Sequence, residues 1–277
     1  MESQPIQRKN TTGSQIYLIR HGERADQVEN NNKLIEFDHD TPLTDNGFIQ
    51  AQKTGLYLRS IIAKEQEENR PFDQIIIESS PFLRCLQTAQ GIASQIDICD
   101  IKVNLGYREW LSQQLFEYNP MGHLFIDQKS KAELSNEFKG LNIIIPEDYL
   151  ADKDRAIVLM KFPEAMSQAR ERCIDQTEIL IEQYRQDTEQ RIMHIIISHG
   201  PLVQEFGLYN GGKNNWYLYC QVSAIELCND GNGRKLLYDN EIFYEENEIV
   251  ADEQDPIKVL EEPDSENNIR DMDEDFA

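Results

Sequence analysis

Two short segments of the 277-residue chain place a histidine before a glycine at the end of an apolar run: Arg20-His21-Gly22-Glu23-Arg24 and Ser198-His199-Gly200. A third run ends at Ser79-Ser80-Pro81, with Arg84 just beyond it. Brought together, these ends would set two imidazoles among up to three guanidiniums, those of Arg20, Arg24 and Arg84. Guanidinium forks match phosphate oxygens bidentately, and a helix N-terminus adds backbone N–H donors. A neutral imidazole nitrogen can attack phosphorus, and flanking cations lower its pKa and keep it neutral near pH 7. The leaving alkoxide then needs a proton. Glu109, in Gly106-Tyr107-Arg108-Glu109-Trp110, is the candidate donor, with partial desolvation beside Trp110 expected to raise its pKa toward a value useful to a general acid. Glu78 and Glu117 are the alternatives. Gly22 and Gly200 would let the backbone bend sharply and come close to a ligand.

The elements that must position these groups alternate along the chain. Buried strands are expected at 15–20, 74–79, 101–103 and 191–198, each rich in Ile, Val or Leu. Amphipathic helices follow. One is capped by Thr44 and runs to about Lys64, with Phe48, Ala51, Gly55, Leu58 and Ile62 inward. One starts at Pro81, with Leu86, Ala89, Ala93 and Ile96 inward; one follows Pro163, with Met166, Ala169, Cys173, Leu180 and Tyr184 inward; one opens at Pro201. A late strand pair is expected at 222–228 and 235–243. This is the pattern of an α/β three-layer sandwich: a mostly parallel central sheet with helices on both faces. Ligands in such folds bind beyond the carboxyl ends of the strands, where the histidine segments lie.

Composition narrows the function further. The net charge is −23, which argues against general affinity for nucleic acid or an anionic membrane surface. About half of that charge falls after Tyr244, where fourteen acids face only Lys258 and Arg270. Residues 245–277 read as a solvated acidic tail with too little apolar content to fold alone. Residues 1–14 read as a flexible polar segment without a signal-peptide core, Glu2 excludes the myristoylation pattern, and no apolar run reaches membrane-spanning length; the expected location is cytoplasmic. The five cysteines, Cys85, Cys99, Cys173, Cys220 and Cys228, have no metal-ligand spacing. No metal or cofactor is expected. His39, His123 and His194 show no ligand spacing either, and Cys85 reads as a small packed residue.

Taken in order, the pieces Arg20-His21-Gly22-Glu23, Leu43-Thr44-x-x-Gly47-x-x-Gln50-Ala51, Ser80-x-x-x-Arg84-x-x-x-Thr88-Ala89, Glu109 and Ser198-His199-Gly200 resemble the histidine phosphatase, or phosphoglycerate mutase-like, superfamily. The nearer likeness is to the phosphatase domain of the suppressor of T-cell receptor signalling proteins. It rests on Arg24, Pro42-Leu43, Ser80-Pro81-x-Leu83-Arg84-Cys85-x-Gln87-Thr88-Ala89, Gly106-x-x-Glu109-Trp110, and Glu164 followed by Arg172-Cys173. The resemblance implies that His21 accepts the phosphoryl group, that Arg20, Arg24, Arg84 and His199 bind phosphate, and that Glu109 donates the proton. It covers roughly residues 15–225. The chain has no room for the ubiquitin-binding and SH3 modules of those proteins, and Asp26-Gln27-Val28-Glu29 stands where mutases carry a Trp-Asn pair.

The expected activity is therefore metal-independent hydrolysis of a phosphate monoester through a phosphohistidine on His21. The substrate would be a small phosphorylated metabolite or phosphotyrosine. The alternatives are a bisphosphate-handling mutase or sugar-bisphosphatase, and a catalytically idle scaffold. Expected partners are the phosphorylated small molecule or phosphoprotein substrate, with a homodimer as one assembly open to the chain and no nucleic acid or membrane. One histidine phosphatase domain is expected over 15–244, with 112–162 forming a cap over the pocket that sets substrate choice. Truncation after Tyr244 should leave the midpoint of urea unfolding and the turnover of a small substrate largely unchanged. A large loss of stability would show instead that the tail packs on the domain.

Overall fold

The computed structural model describes residues 13–29, 33–121, 138–146, 160–186, 189–213, 218–228 and 233–244. Among these, seven strands form one sheet: β1 (Gln15–Arg20), β2 (Gln74–Ser79), β3 (Asp100–Val103), β4 (Asn142–Ile144), β5 (Ile192–Ser198), β6 (Val222–Leu227) and β7 (Arg234–Glu241). Their spatial order is β4-β3-β2-β5-β1-β6-β7. The strands from β4 to β1 are parallel, and β6 and β7 join antiparallel beyond β1. The expected late strand pair is thus an antiparallel extension at one edge.

Helices α1 (Asp45–Glu67), α2 (Leu83–Ile96), α3 (Met166–Gln186) and α4 (Gly200–Tyr209) cover the sheet. Alternation along the strands decides which face each side chain serves. Tyr17, Ile19, Ile195 and Ile197 share a core with Leu58 of α1 and Leu86, Ala89 and Ile92 of α2. Their neighbours Ile16, Leu18 and Ile196 share the opposite core with Ala169, Cys173 and Ile181 of α3 and Leu202, Val203 and Phe206 of α4. Both faces are therefore buried, which is why the inner strands read as unbroken apolar runs. No described helix is long and apolar enough to cross a membrane.

Helix starts follow side-chain chemistry. Thr44 caps α1, its Oγ1 accepting from the Gly47 N–H at 2.8 Å. Pro201 sits in the first turn of α4. Pro81, in contrast, lies outside α2: the helix begins at Leu83, and its N-cap, Phe82, has no side-chain oxygen to offer. The cap comes from far away in sequence. Buried Asp40 accepts from the Leu83 N–H at 2.7 Å, placing a carboxylate at the positive end of the helix.

Three further expectations are corrected. The inward residue near the end of α3 is Ile181, with Leu180 only partly buried, because continued 3.6-residue spacing from Ala169, Cys173 and Thr177 reaches 181. Part of the stretch read as a cap is core: Phe116, Met121, Phe138 and Ile143 are buried in the core cluster shared with α2 and the sheet, and β4 pairs with β3. The remainder of that cap, at 122–137 and 147–159, lies outside the described residues, as do the acidic tail, His123 and residues 1–12. Gly22 is required by a neighbouring backbone: a Cβ there would stand 2.4 Å from the Gly47 carbonyl oxygen, and a Cβ on Gly47 would stand 2.4 Å from that of Glu23. The two glycines let α1 dock directly on the turn after β1.

Asp40→Ala should lower unfolding free energy by about 1 kcal/mol or somewhat more, the usual cost of a lost cap plus a buried N–H left unpaired. Asp40→Asn, which keeps an acceptor, should lose less. Urea denaturation of the two variants against wild type checks this, and equal losses would show that charge rather than the cap bond matters.

Candidate active site

Strand order brings the motif residues together. In the register of the parallel strands Arg20 pairs with Ser198, and Ser79 pairs with Ile197 on the other side of β5. The residues that follow, His21, His199 and Ser80, therefore emerge side by side at the carboxyl edge. The backbone continues the ladder, His21 N–H donating to Ser198 O and Ser80 N–H to Ile197 O. The loop after β3 brings Glu109 to the same edge, and the first turn of α2 brings Arg84.

The imidazoles of His21 and His199 lie 5.5 Å apart, edge to face. His21 is buried, and its Nδ1 donates to the Gly22 carbonyl at 2.8 Å, which leaves the lone pair on Nε2. Burial first, then the charges of Arg84 and Arg20, hold its pKa well below the ordinary 6.5, so the ring is neutral at pH 7. The turn is held from two sides. The Gly22 N–H donates to Thr88 Oγ1 on α2, and the Glu23 N–H to Gln50 Oε1 on α1.

Glu109 is buried beneath this pair. Its Oε2 lies 2.8 Å from His199 Nδ1 and 3.0 Å from Arg84 Nη2, and its Oε1 accepts from the Trp110 N–H at 2.9 Å. Burial alone would raise its pKa, as expected beside Trp110. The hydrogen-bonded His199, the Arg84 charge and the Trp110 N–H outweigh that and hold the carboxyl well below the usual range. The expectation of a raised pKa is thus reversed. His199 is neutral as well: burial lowers its pKa to about 4 against the opposing pull of Glu109. It donates from Nδ1 to Glu109 and accepts at Nε2 from Ser80 Oγ, 2.8 Å away.

Arg84 is the group left with unused capacity. Its side chain is 2% exposed and stacks on Phe82, yet its Nε and Nη1 have no hydrogen-bond partner. Buried guanidinium donors are rarely left unpaired, so these point to an anion that completes them. Arg20 is buried against the Tyr219 ring at 4.7 Å and bears on the same pocket. Arg24 differs. It is partly exposed, and its Nε and Nη2 fork onto Asp26 at 3.0 and 2.5 Å. The donor atoms of His21, Glu109 and His199 lie within 4.8 Å of one another, close enough to share one cation. Arg20 and Arg84 stand beside them, and their charge favours an anion in that space.

The alternative carboxylates are elsewhere. Glu78 is bonded to Asn104 at 2.6 Å and lies by His194 and Lys102, and Glu117 is exposed. Cys85 is buried and its thiol pKa pushed up, which agrees with a packing role. His39 bonds Tyr118, and buried His194 bonds Tyr184. Sequence reasoning gave no role to Ser80, Thr88, Gln50, Tyr219 or Asp40. The first three stand in the quoted motif pieces, whereas nothing local marks Tyr219 or Asp40.

Residues 16–115 match the family model described as Histidine phosphatase superfamily (branch 1). His21, Arg20, Arg84 and Glu109 fall inside that stretch and His199 outside it. A curated relative, the transcription factor tau 55 kDa subunit of Saccharomyces cerevisiae, is 34% identical over 98 residues, which are 34% of this chain and 20% of that protein. The match thus spans about a fifth of that relative's length. Two solved structures share the fold. The ecdysone phosphate phosphatase from Bombix mori, in complex with tungstate, has a TM-score of 0.50 at 19% identity, covering 81% of this chain and 92% of that one. A phosphoglycerate mutase from Bacillus anthracis has 0.51 at 16% identity, covering 84% and 95%. The architecture is phosphoglycerate mutase-like, and the family match supports the histidine phosphatase resemblance.

These electrostatics set a pH dependence. His21 and His199 have folded pKa values below 6.5, so the unfolded chain takes up protons that the folded site refuses. Stability should fall as pH drops below about 6.5, by about 1.4 kcal/mol per pH unit for each such histidine, until the folded groups titrate. Glu109 acts in the same direction below its ordinary 4.5. Urea unfolding from pH 8 to 4.5 should show this slope, and His199→Gln should make it shallower. A wild-type curve flat from pH 7 to 5 would contradict the buried neutral pair.

Proposed function

We propose that the chain is a histidine phosphatase, a phosphate-monoester hydrolase that passes the phosphoryl group through His21 to water. The observation that carries this reading is Arg84: a buried guanidinium with two unpaired donors beside a neutral imidazole whose Nε2 holds the lone pair. A phosphate would take Arg84 Nε and Nη1 together with Arg20. Arg24 would join them by exchanging its Asp26 contact for phosphate, and His199 by taking up a proton at Nε2, which turns that nitrogen from an acceptor for Ser80 into a donor to phosphate.

In the first step His21 Nε2 attacks phosphorus. The N–P bond forms as the P–O bond to the leaving group breaks, and that oxygen takes a proton from Glu109. The proton reaches Glu109 from the monoester monoanion or from solvent. An incoming phosphate raises the Glu109 pKa, because it adds negative charge nearby and competes for Arg84. Glu109 would thus be ionised before phosphate arrives and take up its proton with the substrate. In the second step water attacks phosphorus and gives a proton to Glu109, the N–P bond breaks with its electron pair returning to His21 Nε2, and inorganic phosphate leaves. The guanidiniums stabilise charge on the equatorial oxygens throughout. This chemistry needs no metal. The substrate is a small phosphorylated metabolite or phosphotyrosine, and the likeness to the phosphatase domain of the suppressor of T-cell receptor signalling proteins stays part of this proposal. Asp26 and Gln27, in place of the mutase Trp-Asn, are committed to Arg24 and Tyr219, which disfavours a mutase.

One observation favours a second reading. The curated relative is a transcription factor subunit, so a scaffold role within a protein assembly is the competing function. Activity decides between them. Wild type should release phosphate from nitrophenyl phosphate without added metal, His21→Ala should abolish release, and a mid-turnover quench should trap acid-labile phosphate. Phosphate binding without turnover across a broad monoester screen would favour the scaffold. In single-turnover phosphoenzyme formation, Glu109→Gln should slow an alkyl phosphate by about 100- to 10,000-fold and nitrophenyl phosphate distinctly less. Equal slowing of both would remove Glu109 as the acid.

A further inference from the structure

Glu164 has no part in the chemistry above, yet it is buried and its carboxylate holds two guanidiniums. Arg108 donates Nη1 and Nη2 to it at 2.8 and 3.1 Å, and Arg172 donates Nε and Nη2 at 2.9 and 3.0 Å. The same guanidiniums reach back to the loop that carries Glu109. Arg108 Nη1 donates to the Glu109 carbonyl at 2.8 Å, and Arg172 Nη1 donates to the carbonyls of Gly106 and Arg108 at 2.7 and 3.2 Å. The Glu164 backbone ties down the rest: its carbonyl accepts the Trp110 indole N–H at 2.8 Å, and its N–H donates to the Leu111 carbonyl at 2.8 Å.

The two buried cations share the Glu164 carboxylate, and the loop carbonyls accept further N–H groups from both. The consequence is geometric. Glu109 sits in a short loop whose backbone is clamped before it, at it and after it, and its carboxylate is pinned by the next residue's N–H. A shift of the loop would move both carboxylate oxygens relative to His21. Misplacing a reacting group by about 1 Å can cost about 100-fold in rate.

We propose that Glu164, acting through Arg108 and Arg172, is the positioning residue that fixes where Glu109 presents its carboxyl to the leaving group. The kinetic consequence rests on the phosphatase reading; the effect on the loop rests on the contacts alone.

The test uses the full chain and two variants. Glu164→Gln removes the central charge. Arg172→Lys keeps its charge, removes the fork, and serves if the first fails to fold. Hydrogen exchange of a peptide spanning 106–111 should become about tenfold faster in either variant, with peptides from β1 and β5 unchanged. Single-turnover phosphoenzyme formation should slow on the order of 100-fold for an alkyl phosphate and distinctly less for nitrophenyl phosphate. Glu164→Gln should add little further loss in a Glu109→Gln background, because both act through one group. Native exchange in the 106–111 peptide overturns the proposal whether or not the protein is active. Equal slowing of both substrates, or a full additive loss in the double variant, also overturns it. If wild type forms no phosphoenzyme, the phosphatase reading fails and the exchange result alone decides the positioning role.

Discussion

A guanidinium buried against two imidazoles is tolerable only with a carboxylate in contact, and at Arg84 that carboxylate is Glu109. Deleting one partner of such a buried pair typically costs about 3–5 kcal/mol, because the other charge is left uncompensated. The pair sets the state of its neighbours. Glu109 draws the His199 proton to Nδ1, and that tautomer leaves Nε2 to accept from Ser80. Arg84 spends only Nη2 on Glu109, so its other donors remain for an anion. Burial, reinforced by the charges of Arg84 and Arg20, also keeps His21 neutral.

The fold serves this constraint through strand order. β5 lies between β1 and β2, so His199 meets His21 on one side and Ser80 on the other. The turn after β1 is then fixed by backbone packing, with the Gly22 and Gly47 backbones in direct contact and Thr88 and Gln50 accepting the free N–H groups. Each of these partners comes from a helix on the same face of the sheet. His21 is thus held by the sheet and two helices together, which restricts its freedom to turn away.

In the proposed reaction Glu109 would have two duties that pull its pKa in opposite directions. As the counter-ion of Arg84 it must be ionised; as an acid it must carry a proton. Against burial, the contacts with His199, Arg84 and the Trp110 N–H satisfy the first condition. A phosphate substrate would satisfy the second, because it would bring its own negative charge and compete for the same guanidinium. The network of Glu164, Arg108 and Arg172 lies outside this exchange, and the positioning role proposed for it is to hold the loop in place.

Much of this arrangement was legible in the residues. The apolar runs marked the strands, Thr44 and Pro201 marked helix starts, and histidines at strand ends marked the edge where chemistry collects. Those signals are local: each depends on the few residues around it and on a period of two or 3.6. What the sequence left open is set by contacts between distant segments. Asp40 caps α2 from 43 residues away, Gly22 answers to Gly47, and a stretch read as a cap supplies β4 and core residues. The direction of the Glu109 pKa belongs to the same group. Trp110, its neighbour in sequence, suggested desolvation, whereas His199 and Arg84, its neighbours in space, decide the charge. Burial and counter-charge act across a few ångströms whatever the separation along the chain, so only the tertiary structure could settle which of them prevails.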